Sequence, residues 1–205
     1  MHHVIPLNAE KFSIYKTIGS KDKLQVAYRT RQCDVLSVPD STRFTWRLSV
    51  NTAPEKPRFI IVGFQTDKDG HQTKISSTFD HANLKNAYVT LNSHLFPAVD
   101  YNLSFSNQTF STVYGDAALF GVKLFGMDEL ITQSNISLSD YKILYDIFMF
   151  DVSKQKENPK SSVVNIQTKA NFTDNVPANT RAFALVISEM MLSGQSDGNQ
   201  MSVVY

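Results

Sequence analysis

The sequence contains few cysteines, prolines, glycines and charged residues. Its 205 residues include one cysteine, seven prolines and eight glycines, and 19% of them are charged. A single cysteine cannot close an internal disulfide, which excludes a disulfide-stapled scaffold and a cysteine-rich zinc site. Twenty basic residues nearly cancel nineteen acidic ones, so the net charge of +1 offers no basic excess for nucleic acid or an anionic membrane.

The chain also lacks a long apolar run and a leader pattern. No stretch approaches the roughly 18 apolar residues that cross a bilayer, because the best candidate, Ala117 to Met127, is short and broken by Lys123. The segment from Met1 to Pro6 shows no basic-then-apolar order, which a secretory signal requires. We therefore expect a protein that is made and used inside a cell and has no membrane partner.

The dominant positive signal is an alternation of apolar and polar residues. From Thr42 to Val50, the residues Phe44 and Trp46 fall on the apolar face, which predicts a half-buried strand with Trp46 in the core. The segment from Arg58 to Thr66 is almost continuously β-branched or aromatic, which is typical of a strand covered on both faces.

Further strands and a few helical turns follow from the same patterns. The strands are predicted at Leu24–Tyr28, Val35–Val38, Asn86–Asn92, Tyr145–Val152, Ser162–Phe172, Arg181–Met191 and Gln200–Tyr205, the last after a hairpin turn at Asp197-Gly198. Helical turns are predicted at Lys11–Ile18, within Ser106–Leu130 and after a cap at Ser139-Asp140.

These elements predict an all-β fold. About eight strands, frequent turns and one long connection indicate an antiparallel eight-stranded jelly-roll sandwich with one or two short helices in that connection. No linker rich in Ser, Gly or Pro divides the chain and no repeat appears, so we expect a single domain over residues 1–205.

The residues that could bind metal are scattered. The histidines are His2, His3, His71, His81 and His94, and none forms a spaced pair that is typical of a metal site. The sequence Asp67-x-Asp69-Gly70 resembles the start of a calcium loop, but a calcium-binding EF-hand needs Gly at position six and Glu at position twelve. We interpret it as a turn and predict no metal ligand and no cofactor.

No catalytic motif is present either. Cys33 lies between Arg31-Gln32 and Asp34, and a positive neighbour can lower a thiol pKa, but no motif surrounds it. The neighbours Asp80 and His81 would point to opposite faces of a strand, and the pair Asp128-Glu129 is typical of a solvent-facing surface. We therefore predict no catalytic, cofactor-binding or metal-binding residues and no enzymatic activity.

Three segments carry a family resemblance. They are Glu55–Asp67 (EKPRFIIVGFQTD), Asp151–Glu157 (DVSKQKE) and Asn175–Thr180 (NVPANT), the last followed by the apolar run from Ala182 to Ile187. Their order and spacing resemble those of the major capsid proteins of Polinton/Maverick elements and the related adintoviruses. The resemblance is weakest between Ser106 and Tyr141.

The resemblance implies a structural capsid protein, in the virion or as an endogenous viral element. Such proteins have two jelly rolls and form trimeric, pseudo-hexagonal capsomers, and the matching part is their C-terminal roll. This chain would then be a fragment, a split-gene product or a domesticated single roll, assembled inside the host cell as a homotrimer or with a partner jelly-roll domain and other capsid proteins.

Two alternatives from other classes remain open at the level of the sequence. One is a jelly-roll module that recognises a carbohydrate or a protein through its loops, for which Tyr101-Asn102 and Phe105-Ser106-Asn107 are the candidate aromatic and polar loop residues. The other is a cupin-type enzyme, which would need a metal ion.

Overall fold

A computed structural model describes residues 5, 7–20, 24–50, 56–92, 94–126, 136–154, 165–196 and 201–204. Within them lie nine strands and four helices. The strands are β1 (Leu24–Ser37), β2 (Arg43–Arg47), β3 (Lys56–Thr66), β4 (Leu84–Leu91), β5 (His94–Phe96), β6 (Ile147–Asp151), β7 (Ile166–Phe172), β8 (Thr180–Ser196) and β9 (Met201–Val204). The helices are α1 (Asn8–Gly19), α2 (Ser111–Ala118), α3 (Phe120–Phe125) and α4 (Leu138–Leu144).

Eight of these strands form the two sheets of a jelly roll. One sheet has the order β1-β8-β3-β6 and the other has the order β2-β7-β4-β5. Each strand of the first half of the roll therefore pairs with one from the second half: β1 with β8, β2 with β7, β3 with β6 and β4 with β5. This is the pairing expected when one long antiparallel hairpin is rolled up into two sheets. The predicted all-β jelly-roll sandwich is confirmed.

The core lies between the sheets and follows the predicted alternation. In β2, Phe44 and Trp46 are buried while the three residues between and beside them are exposed. Phe64 of β3 is fully buried, and its ring meets those of Phe172 and Phe148 at centroid distances of 5.4 and 6.1 Å. Aromatic rings at these separations add to the free energy gained by burying their apolar area.

Several elements differ in extent from the prediction. The two short strands predicted at Leu24–Tyr28 and Val35–Val38 are parts of one strand, β1, and β8 extends beyond Met191 to Ser196. The predicted last strand is present as β9, which pairs with β8, and the predicted helical turns are present as α1, α2, α3 and α4. In the described residues, the connection between β5 and β6 holds three helices rather than one or two. The predicted turn at Asp197-Gly198 lies outside the described residues.

The contacts divide the chain into two compact units. The first comprises residues 1–30 and 189–205, and the second comprises residues 31–188. In the first unit, α1 has no buried residue, and Phe12 and Tyr15 are largely exposed. The second unit contains the buried core and the surfaces described below.

Candidate functional site

The outer face of the larger sheet carries an apolar groove of about 340 Å³. A sheet face that is exposed to water is ordinarily polar. Apolar side chains on such a face therefore indicate a surface that contacts another molecule or another part of an assembly. The lining comes from four of the five strands of the sheet (β1, β3, β6 and β8) and one connecting segment: Cys33, Ile61, Gly63, Phe79, Ile147, Met149, Phe183 and Leu185.

Helix α3 covers the neighbouring part of this face. Its residue Leu124 is buried in a cluster with Phe59 and Ile187, and the ring of Phe120 meets Phe59 edge-on at 5.4 Å. The prediction that β3 is covered on both faces therefore holds at Phe59. At Ile61, which is partly buried, the cover ends and the groove begins.

Gly63 lies in the floor of the groove, and the ring of Phe79 packs directly against its backbone. A Cβ atom at Gly63 would come within 2.5 Å of the ring of Phe79. The same ring meets Phe183 edge-on at a centroid distance of 6.2 Å. Glycine is thus the residue that allows the segment carrying Phe79 to close over β3.

Cys33 is exposed and lies on β1, an edge strand. Partial burial, followed by the charge of Asp34, raises the pKa of its thiol above the ordinary value. The lowering of this pKa that a nearby arginine can cause is therefore not observed at Cys33. A protonated thiol is a poor nucleophile, which agrees with interpreting Cys33 as an incidental residue rather than a catalytic one.

The loop that follows β3 forms a separate polar cleft of about 690 Å³. The carboxylate of Asp67 accepts from Lys74 Nζ at 2.6 Å and lies 3.1 Å from His71 Nε2, and the hydrogen bond from Lys74 is the main reason that the pKa of Asp67 is lowered. Asp69 pairs with Arg181 at 2.6 Å. Both carboxylates of the suspected calcium loop are therefore engaged by cationic side chains.

Asp80 and His81 point to different partners. Asp80 accepts from Lys68 Nζ at 2.8 Å, while the His81 ring stacks on Phe105 at 4.3 Å. Burial lowers the pKa of His81, so its imidazole is neutral at pH 7. The two side chains do not form a catalytic pair.

The loop residues suggested for carbohydrate recognition are not an exposed aromatic platform. Phe105 is buried, and its ring stacks on Phe110 at 5.3 Å. Tyr101 is partly buried and packs against the core. These aromatic rings therefore support the fold rather than a sugar-binding surface.

Among the described residues no group of three or more His, Cys, Asp or Glu side chains could hold a metal ion. The pairs His2-His3 and Asp128-Glu129 lie outside those residues. None of the helices in the described part of the chain is both long and apolar enough to cross a membrane.

The three resembling segments meet on β3. Arg58 donates from Nη1 to the Ser153 carbonyl at 3.1 Å, which joins the first segment to the second. Asp67 donates its backbone N–H to the Asn179 carbonyl at 3.1 Å, which joins the first segment to the third. Of the second segment, residues 155–157 lie outside the described residues. These two hydrogen bonds attach the first segment, which contains β3, to the second and third segments.

Comparisons with known proteins give one family match. The double jelly roll-like domain family matches residues 1–192. No curated protein matches the chain.

Among solved structures, a chain of the Sputnik virophage structure determined by cryo-EM aligns with a TM-score of 0.48 and 11% identity, over 88% of this chain and 39% of that one. A chain of the PBCV-1 virus capsid aligns with a TM-score of 0.46 and 11% identity, over 97% of this chain and 55% of that one. The present chain thus spans 39% to 55% of the length of these two chains.

Proposed function

Because the chain belongs to the double jelly roll-like domain family, we propose that it is a structural capsid protein that contributes one jelly roll to a double-jelly-roll-type capsomer. The observation that carries the proposal is the family match over residues 1–192. It is supported by the two sheets, in which eight strands make one complete jelly roll. A capsomer of this type needs two rolls, so the chain requires a second copy or a partner roll.

The surface of the larger sheet supports a role in assembly. Its groove is lined by apolar residues and lies beside a part of the sheet that α3 already covers. Burying apolar surface is the main driving force for association, and the net charge of +1 sets little long-range repulsion between copies.

The finer parts of the proposal concern the assembly and its origin. The subunit forms homotrimers, belongs to the lineage of the Polinton and adintovirus capsid proteins, acts as one domain over residues 1–205 and resides in the virion. A shell subunit works by packing against its neighbours, so this function requires no catalytic residues and no cofactor.

The solution mass of the purified chain, measured by light scattering over a concentration series with electron micrographs of the same samples, tests the proposal. Discrete trimers or closed shells would support it. A monomer at every concentration would contradict self-assembly, and the chain would then be either a fragment that lacks its partner roll or a binding module that acts through its loops.

Two matched variants test whether the apolar groove is part of the contact between copies of the chain. Cys33→Glu places a charge at the exposed rim of the groove, and Val99→Glu places one at a residue that is 77% exposed and does not line it. We expect Cys33→Glu to weaken association at least about tenfold, since burying an unpaired charge in an apolar contact is unfavourable. Equal association of the two variants would contradict a role for the groove.

A further inference from the structure

A carboxyl group without a partner is buried where α4 meets β6. Asp146 is 1% exposed, and neither of its carboxyl oxygens has a hydrogen-bond partner among the described residues. Burial of a polar group without a partner is unfavourable, and burial of an unpaired charge is much more so. Asp146 is therefore a group whose ionisation strains the structure around it.

Among the described residues, the segment opposite Asp146 pairs with it through one isolated bridge, and Gln65 Nε2 also holds this segment by donating to the Ser76 and Thr78 carbonyls at 2.6 and 3.0 Å. Phe79 and Tyr145 form an isolated parallel bridge, and the Phe79 N–H donates to the Leu144 carbonyl at 2.9 Å. The next residues on the two segments are Asp80 and Asp146, so the bridge brings two acidic side chains side by side. On its other side, the Asp80 N–H donates to the Phe64 carbonyl at 2.8 Å.

Asp80 has a hydrogen-bond donor for each of its carboxyl oxygens, whereas Asp146 has none among the described residues. Asp80 Oδ1 accepts from Lys68 Nζ and Oδ2 accepts from the Thr66 N–H, each at 2.8 Å. The ammonium of Lys68 also donates to the carbonyl and the hydroxyl group of Thr78 at 2.8 Å, so it is committed to Asp80 and Thr78.

The other groups that face this junction come from α4, α2 and the nearby loops. Lys142 of α4 acts on Asp146 from a distance, and the Tyr141 hydroxyl donates to the Ile147 carbonyl at 2.9 Å and so is not directed at Asp146. Asp116 and Tyr101 act on Tyr141, and His81 lies beside Asp80 and Lys142.

Burial, reinforced by the charge of Asp80, raises the pKa of Asp146 to about 8, against the opposing effects of Lys142 and Lys68. Below that pH the group is mostly neutral and the two acids coexist. In an opened, hydrated segment its pKa returns to about 4. The proton is therefore bound more tightly in the closed form, and the closed form loses stability as the pH rises from about 4 to about 8.

We propose that Asp146 is a proton-controlled latch, whose ionisation beside Asp80 opens the Phe79–Tyr145 bridge and lifts Phe79 from the outer groove. The Phe79 ring lies over Gly63 and against Phe183, so opening the bridge uncovers the backbone of β3 and enlarges the groove. The latch operates within one chain and does not depend on the proposed capsid role.

Hydrogen exchange of the full chain between pH 5 and pH 8 tests the latch. The readout is the protection factor of the Phe79 and Asp80 amides, which corrects for the intrinsic dependence of exchange on pH. We expect protection to fall by up to about tenfold per pH unit, the limit for the loss of one proton. In Asp146→Asn, which cannot ionise, protection should be independent of pH.

Asp140→Asn is the matched control, because it removes an exposed carboxylate from α4, the helix that precedes Asp146. It should retain the pH dependence of the parent chain. Protection that does not vary with pH in the parent, or an equal slope in Asp146→Asn, would overturn the proposal.

A measurement without a variant covers the case in which Asp146→Asn fails to fold. The carboxyl carbon of Asp146 can be titrated by NMR in the unmodified chain. A midpoint near 8 would support the latch, and a midpoint near 4 would overturn it.

Discussion

Thr168 and Thr180 are both almost fully buried, but their hydroxyl groups differ in hydrogen bonding. Thr168 Oγ1 has no partner among the described residues, whereas Thr180 Oγ1 donates to the Pro177 carbonyl at 2.7 Å and lies 2.9 Å from Thr66 Oγ1. An unpartnered buried hydroxyl is unfavourable, and valine has nearly the same shape. We expect Thr168→Val to raise the free energy of unfolding by about 1 kcal/mol.

Thr180→Val is the matched control for this change. It removes a hydroxyl that is fully used and leaves the Pro177 carbonyl without its donor, so we expect a loss of about 1–2 kcal/mol. Urea denaturation monitored by Trp46, the single tryptophan, measures both variants. If Thr168→Val proves as destabilising as Thr180→Val, the hydroxyl of Thr168 has a partner that the fold does not reveal.

Individual residues were predictable where a local pattern decides their environment. The alternation around Trp46 placed it correctly in the core, since neighbouring residues on a strand point to opposite faces. The burial of Asp146 was not predictable in this way. It depends on the bridge between Phe79 and Tyr145, which joins segments that are far apart in sequence.

A glycine inside α2 and a glycine that directly follows α3 have opposite conformational requirements. Gly115 lies inside α2, and a Cβ atom there would meet nothing within 4 Å. Gly126 ends α3 in the left-handed conformation with φ 64°, and its N–H donates to the Val122 carbonyl at 2.8 Å. Alanine favours helix interiors and disfavours the left-handed region.

We therefore expect Gly115→Ala to stabilise the chain and Gly126→Ala to destabilise it, each by about 1 kcal/mol. Thermal unfolding of the two variants beside the parent chain measures the pair. A loss of stability in Gly115→Ala would show that α2 does not keep its helical form in solution.

Strands could be predicted where apolar and polar side chains alternate. They could not be predicted where only backbone hydrogen bonds to a neighbouring strand define them. β1 was predicted as two pieces because its middle, from Arg29 to Asp34, is polar. It is one strand that is hydrogen-bonded to β8, and backbone pairing of this kind does not require apolar side chains. β5 has three residues and pairs with β4, which is too short a run for any periodicity to appear.

At the scale of the whole molecule, the sequence indicated the fold class but not the surface. The number and spacing of strands indicated a jelly roll, and the observed strand pairing follows from rolling up one long antiparallel hairpin. The outer groove brings together Cys33, Ile61, Met149 and Leu185, each from a different strand. Their proximity follows from strand order, which a single sequence does not specify.

The thiol of Cys33 reports on whether this groove closes when copies associate. It is exposed at the groove in the isolated chain, and its raised pKa makes its reaction with a disulfide reagent slow enough to follow. We expect the reaction at a fixed pH to slow at least about tenfold when light scattering shows the assembled form, because a thiol within a packed contact is inaccessible to the reagent. Chain unfolded in urea gives the rate for full exposure. Equal rates for the monomer and the assembly would place the contact between copies elsewhere on the molecule, and the exposed side chains of α1, including Phe12 and Tyr15, would be tested next.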